Sequence, residues 1–253
     1  MKSIWSGSIS FGLVNIPIRM YSATESKKTK FRLLHREKLS PIRYKKWCDS
    51  CGREVKKDEI IKAVEVGKNK YVVLEEELAS IKLEKTQAIE ITEIVDLNQI
   101  DSIFFDKHYF LGPERIKEKT YFLFKKVLQE NAKSAIGKFV MKEKEYLCSI
   151  TAYKEGLLLT TLNYSYEIRN IGDIEELKEK PNLSNNELDL AQQLVNKIYK
   201  PKFSIGNFKD DFEEELKKIV EIKLNGEIIT AEKKEIPVTR DENIIEALKA
   251  SLR

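Results

Sequence analysis

A chain of 253 residues, 42% hydrophobic and 34% charged, has enough apolar side chains to build a core and is excluded from wholesale disorder. No apolar run approaches the ~18 residues of a membrane-crossing helix, and Ser, Gly and Asn interrupt the N-terminus where a secretory signal would carry its apolar stretch. Three cysteines, an odd number, do not make a disulfide framework in a chain of this size, so a cytoplasmic, reduced protein is expected.

The first 24 residues read as strand, with polar and apolar side chains alternating through Ser8-Ile9-Ser10-Phe11-Gly12-Leu13. Pro17 lacks the N–H a ladder needs, which predicts an edge position or a bend there. Lys27 to Lys57 then holds twelve Lys/Arg against three acids, Glu37, Asp49 and Glu54. The local excess is nine positive charges, so the modest total of +4 hides a basic segment inside a body that carries −5. Segregation of this kind is the footprint of a nucleic-acid binder, and equally of a solvated loop kept basic for solubility. On the first reading the phosphate contacts come from Lys27, Lys28, Lys30, Arg32, Arg36, Arg43, Lys45, Lys46, Lys56 and Lys57. In Phe31-Arg32-Leu33-Leu34-His35-Arg36 and Ile42-Arg43-Tyr44-Lys45-Lys46-Trp47, strand alternation would place cations on one face and apolar anchors on the other. Tyr44 and Trp47 are expected in the core rather than stacked on bases.

Within the same segment Cys48-Asp49-Ser50-Cys51-Gly52 has the Cys-x2-Cys spacing of half a zinc site, with His35 upstream. A structural site needs four ligands. Cys48, Cys51 and His35 leave one to find, and the alternative is a plain turn with no cofactor. Cys148 lies in an apolar run and reads as a small buried hydrophobe.

Beyond the basic segment, strands are expected at Lys70–Leu74, after a Gly67-Lys68-Asn69 turn, and at Ala88–Val95, with a short helix at Glu75–Lys85 between them. Ile103–Phe105 and His108–Leu111 suggest a further strand pair ending at Gly112-Pro113. Thr120–Ile136 has the periodicity of an amphipathic helix with Phe122, Phe124 or Val127, Leu128 and Ala132 near one face. Strands Gly137–Met141, Tyr146–Ile150 and Leu157–Leu162 follow.

The last third is helical. Ser184-x-x-Glu187 is a capping box opening a helix with Leu188, Ala191, Leu194/Val195 and Ile198 on one side. Phe212, Leu216, Ile219 and Val220 mark a second helix closed by Asn225-Gly226. Thr239-x-x-Glu242 opens a third through Ile244, Ile245 and Leu248. The expected organisation is a β-rich body over 1–175, with an arm at about 27–57, and a helical arm over 176–253. No internal repeat is visible.

Catalytic signatures are scarce. Two histidines, His35 and His108, exclude a three-histidine metal site, and there is no Gly-x-Ser-x-Gly elbow and no glycine-rich phosphate loop. Nothing reads as a recognition helix for base edges.

The motifs together resemble the prokaryotic Ku family, the DNA-end-binding proteins of nonhomologous end joining. The resemblance opens on Ile4-Trp5-Ser6-Gly7-Ser8-Ile9-Ser10-Phe11-Gly12-Leu13-Val14-Asn15-Ile16-Pro17-Ile18. It continues through Arg43-Tyr44-Lys45-Lys46-Trp47-Cys48, Ala135-Ile136-Gly137-Lys138-Phe139-Val140 and Glu187-Leu188-x-Leu190-Ala191, and ends on Ala247-Leu248-Lys249-Ala250-Ser251-Leu252. It implies a mixed β + α fold: a β-barrel core, an extended basic bridging arm that forms a ring in a homodimer, and a helical C-terminal arm. It implies a non-catalytic protein that binds double-stranded DNA ends and recruits an ATP-dependent DNA ligase on nucleoid DNA. An RNA-binding or ribosome-associated module is the other function that this basic segment would serve, and a nuclease would need an Asp/Glu cluster that no motif supplies. In the family the knuckle often carries a further Cys three residues after the histidine, and here that residue is Lys38. Many members continue into a lysine-rich tail, whereas this sequence stops at Arg253, which leaves open the extra DNA grip or end bridging such a tail supplies; contact with the ligase would fall to the helical arm.

Overall fold

The computed structural model describes residues 1–68, 70–73, 87–142, 144–225 and 244–252. They fall into two compact units, one of Met1–Lys27 with Phe31–Asn170 and one of Lys28–Lys30 with Ile171–Arg253. The helix expected over 75–85, the turn at position 69, the end of the strand at 74, Gly226 and the capping box over 239–242 lie outside the described residues.

The first unit is built on strands β1 (Trp5–Phe11), β2 (Val14–Ser22), β3 (Trp47–Cys48), β4 (Arg53–Glu54), β5 (Ala63–Gly67), β6 (Lys70–Val73), β7 (Ala88–Asp96), β8 (Phe105–Pro113), β9 (Lys133–Met141), β10 (Lys144–Tyr153) and β11 (Gly156–Leu162). Seven of them close a barrel in the order β1-β2-β8-β11-β10-β9-β7. The seam is a short parallel pairing of β1 with β7, Ser8 opposite Ala88 through Ser10 opposite Glu90. Every other neighbour is antiparallel. Period-two alternation supplies the interior: Ile16, Ile18 and Met20 from β2, Tyr109 and Leu111 from β8, Cys148 and Ile150 from β10, and Leu157 and Leu159 from β11 are all buried. Cys148 is the small buried hydrophobe expected, and burial pushes its thiol up to about 12. Two glycines let strands approach closely, Gly7 at this seam and Gly137 at the β7–β9 pairing. A Cβ on Gly7 would meet the Gln87 carbonyl oxygen, and one on Gly137 would lie 2.5 Å from that of Glu90.

Pro17 is not on an edge strand, because β2 is paired on both sides. Its carbonyl accepts the Glu114 N–H at 3.1 Å, which turns its own nitrogen toward β8 just beyond the end of their ladder at Ile18–Pro113. The missing donor therefore falls at the barrel rim. The strand pair expected over 103–111 is one strand, β8, preceded by a single 3-10 turn at Ser102–Phe104. The helix expected over 120–136 is α1, Lys119–Glu130. Asn131 ends it, and Ala132 takes a left-handed φ of +49°. From Lys133 the pattern Ala135, Gly137, Phe139 has the strand period and wins the segment for β9, so Ala132 is not on the helix face. The residues that α1 buries are Tyr121 and Leu128, whereas Phe122 and Val127 are exposed. The Tyr121 hydroxyl donates to the Leu111 carbonyl at 2.5 Å and accepts the Leu157 N–H at 3.0 Å, extending the β8–β11 ladder by one side chain.

In the second unit α2 (Asn185–Ile198) begins at the expected capping box: the Glu187 N–H donates to Ser184 Oγ at 3.3 Å and the Ser184 N–H to the Glu187 carboxylate at 2.7 Å. Its half-buried stripe runs through Leu190, Ala191 and Leu194, while Leu188, Val195 and Ile198 are exposed. Next comes α3 (Asp211–Leu224), capped by Asp210 and ended at Asn225. The final helix, α4 (Ile244–Leu252), packs on α2, and Lys197 donates to the carbonyls of Ser251 and Leu252 at its C-terminus.

Candidate nucleic-acid interface

Apart from the two-residue strands β3 and β4, the basic segment is not strand, and none of it is core. From Lys27 to Lys57 every residue is exposed except Cys48 and Val55, which are half-buried. Phe31–Arg36 and Ile42–Lys46 lack strand pairing apart from one bridge between Leu34 and Pro41, so the two-faced alternation does not form. Tyr44 is 86% and Trp47 61% exposed, which corrects their expected place in the core. The cause is structural: two-residue strands carry no second layer to bury a ring against.

Two turns shape the segment, and they are the same turn. In the second, Gly52 N–H donates to the Cys48 carbonyl at 2.9 Å, Cys48 faces Arg53, and Val55 N–H donates to Lys46 at 2.9 Å. In the first, Leu39 N–H donates to His35 at 2.9 Å, His35 N–H to Ser40 at 2.9 Å, and Ile42 N–H to Leu33 at 3.0 Å. The fifth residue of each is left-handed, Leu39 at φ +50° and Gly52 at φ +60°. Side chains correspond as well: the Lys38 N–H donates to His35 Nδ1 at 3.2 Å, and the Cys51 N–H hydrogen-bonds the Cys48 sulfur. This ten-residue structural repeat, 33–42 and 46–55, is offset by thirteen residues and has no identity in sequence, which is why the sequence shows no repeat. Leu39, a bulky residue at positive φ, was the missing signal; glycine is what the position favours.

Acids within and beside the segment take three of its cations. Lys27 pairs with Glu25 at 3.4 Å, Lys45 with Glu54 at 2.6 Å, and Arg53 with Glu59 through both guanidinium nitrogens at 2.5 and 3.1 Å. The Arg53 fork holds the Glu59 carboxyl below its ordinary value, and Glu54 holds the Lys45 ammonium above its own. The other cations, Lys28, Lys30, Arg32, Arg36, Lys38, Arg43, Lys46, Lys56 and Lys57, make no ion pair with a described residue. They are divided between the two units. Lys28 and Lys30 belong to the helical unit, where Thr29 between them is held by Glu213 of α3: its N–H donates to Oε1 at 3.0 Å and its hydroxyl to Oε2 at 2.8 Å.

Cys48 and Cys51 lie with their sulfurs 3.3 Å apart and share a hydrogen bond that lowers the Cys48 thiol and raises that of Cys51. Among the described residues no three His, Cys, Asp or Glu side chains converge as a metal would require. The residues therefore do not fit a four-ligand zinc site. An apolar cavity of about 390 Å³ beside α1, lined by Phe11, Ile16, Phe124 and Leu128, contains one charged group, Lys133. No described helix is long and apolar enough to cross a membrane.

The family model for Ku, described as the Ku70/Ku80 β-barrel domain, matches residues 10–190. The chain is similar to the non-homologous end joining protein Ku of Archaeoglobus fulgidus, 38% identical over 100% of this chain and 98% of the relative. It is also similar to the proteins of that name from Heliobacterium modesticaldum, 36% identical over 100% of this chain and 92% of the relative, and Bacillus subtilis, 35% over 100% and 82%.

Proposed function

The chain belongs to the Ku family of non-homologous end joining proteins, and from that premise we propose that it is a non-catalytic, sequence-independent binder of double-stranded DNA ends. It works as a homodimeric ring on nucleoid DNA in the cytoplasm and recruits and stimulates an ATP-dependent DNA ligase. The observation that carries the DNA-binding reading is the segment at 27–57, nine of whose twelve cations make no ion pair with a described residue. Phosphates recur along both strands of any duplex, and cations that neutralise them release counterions whatever the bases are. Nothing in the segment is a helix or ribbon that would enter a major groove and read base edges. The contacts proposed come first from Lys28, Lys30, Arg32, Arg36, Arg43, Lys46, Lys56 and Lys57, and next from Lys27 and Lys45, whose acids must be shared. A closed ring explains how contacts to phosphate alone produce a preference for ends, since only an end can be threaded.

The test compares linear duplex with covalently closed circular DNA of the same length at matched salt. Binding to the linear form alone supports the reading, and equal affinity for the two overturns it. A preference for structured RNA over blunt duplex would move the protein to a different class.

A further inference from the structure

Zinc ribbons hold their metal between two knuckles, each of which presents two ligands three residues apart. The repeated turn in this chain has that form. Aligned by backbone hydrogen bonds, His35 takes the place of Cys48 and Lys38 the place of Cys51. Three of the four positions thus carry a metal-ligating residue type and the fourth carries an ammonium. A protonated lysine has no lone pair and repels a cation. The chain offers no replacement thiol or imidazole. Cys148 is sealed in the barrel, and His108 Nδ1 is engaged with Thr160 Oγ1 at 2.9 Å. The second knuckle is held instead by the Arg53–Glu59 fork, the Lys45–Glu54 pair and the Val55–Lys46 backbone bond. What remains of the ligand set is two adjacent thiols, Cys51 exposed and Cys48 half-buried, on a fixed hairpin tip.

We infer that the arm holds two turns of one ligand-presenting form to which Lys38 denies a metal, and that the Cys48–Cys51 pair left over is an oxidation site that closes reversibly to a disulfide. The sulfurs need to approach by little more than an ångström to reach the ~2.05 Å of a disulfide. Within a Cys-x2-Cys turn that approach is a side-chain rotation. With oxidised glutathione as oxidant, the Cys48 thiolate attacks one sulfur and breaks the glutathione S–S bond, releasing one glutathione thiolate. The Cys51 thiolate then attacks the Cys48 sulfur of the mixed disulfide and releases the second. The protein gives up two electrons and two protons, and glutathione disulfide becomes two thiols. Lys45, Lys46 and Arg53 flank the pair in sequence, so the change is made inside the basic segment.

The experiment uses the full chain, purified without chelator. Native protein should hold less than about a tenth of an equivalent of zinc and present two thiols to Ellman's reagent, Cys148 being buried. Oxidised glutathione should abolish both and lower the mass by two hydrogens, and dithiothreitol should restore them. Cys51→Ser should stop at the glutathione adduct on Cys48. One zinc per chain that disappears in Cys48→Ser, or two thiols that stay reactive through the oxidant, overturns the inference. The frame is tested separately by Lys38→Cys, with Lys38→His in parallel in case the first variant aggregates. Either should take up cobalt(II) with the absorption bands of a tetrahedral thiolate site, and failure of both folded variants to do so means the two turns are not a ligand frame.

Discussion

Glu54→Gln should make the protein bind DNA more tightly. In the folded chain Glu54 holds Lys45 at 2.6 Å, so the two together add no net charge to the segment. Glutamine keeps the shape of the side chain and the Trp47–Glu54 backbone pairing, so the hairpin stays and only the negative charge goes. If Lys45 then neutralises one phosphate, the slope of log affinity against log salt steepens by about 0.9, and over a fourfold rise in salt the variant loses about threefold more affinity than the native protein does. Lys46 has no ion pair with a described residue, and Lys46→Ala should flatten the slope by about the same amount. The assay is titration of a fluorescent blunt duplex at four salt concentrations, with two unrelated sequences giving the same result. An unchanged Glu54→Gln beside a weakened Lys46→Ala would mean that Lys45 faces away from the duplex. If neither variant moves, the phosphate surface is not this segment and the argument from charge fails.

The remaining predictions concern the scaffold. Tyr121→Phe strands the buried Leu111 carbonyl and Leu157 N–H, and should cost ~1–3 kcal/mol in chemical denaturation. Gly137→Ala drives a methyl against the Glu90 carbonyl at the β7–β9 pairing, and should cost at least ~1–3 kcal/mol, with loss of soluble protein. Ser184→Ala removes the α2 cap and should cost ~1 kcal/mol, read as a fall in helical circular dichroism. Acid should do the same gradually. Ser184 holds the Glu187 carboxyl below its ordinary 4.5, so its contribution is present above that value and is lost as pH falls through the lower, folded one. A Ser184→Ala variant should show a weaker acid dependence of the same signal.

The barrel was legible because its signals are local: alternating side chains in β2, β7 and β9 report their own burial, and β10 and β11 stand out as apolar runs. The capping box at Ser184 is local in the same way. Where two periods overlap, as between Glu130 and Ile136, the tertiary partner decides, and a strand in the barrel outweighs a further turn of helix. The charge of the segment at 27–57 could be counted, but not which cations remain unpaired. Glu59 lies outside the segment and Glu25 before it, so two of the three pairs could not be found by counting within it. Nor was the repeated turn legible, since it is written in backbone hydrogen bonds while its side chains have diverged. The strand β5, by contrast, could have been read from Ala63-Val64-Glu65-Val66, and it pairs antiparallel with β6, with a register shift between Glu65 and Gly67.

The exposed rings of the basic segment make one more demand on the proposed assembly. Phe31, Leu33, Leu34, Leu39, Ile42, Tyr44 and Trp47 are all exposed within seventeen residues of chain. A charged surface made only to track phosphate has no use for them, and in the proposed assembly another chain would cover them. In a homodimeric ring the second copy is that chain. Trp47 reports on it directly, because the protein has two tryptophans and the other, Trp5, packs edge-on against Phe139 in the barrel. The difference between native and Trp47→Phe emission spectra therefore isolates Trp47. Its emission should be that of a hydrated indole in dilute protein and shift to the blue over the concentration range in which light scattering shows the mass doubling. A mass that doubles without the shift would place the dimer contact away from the arm, and a ring closed by bridging arms would then lose its physical basis.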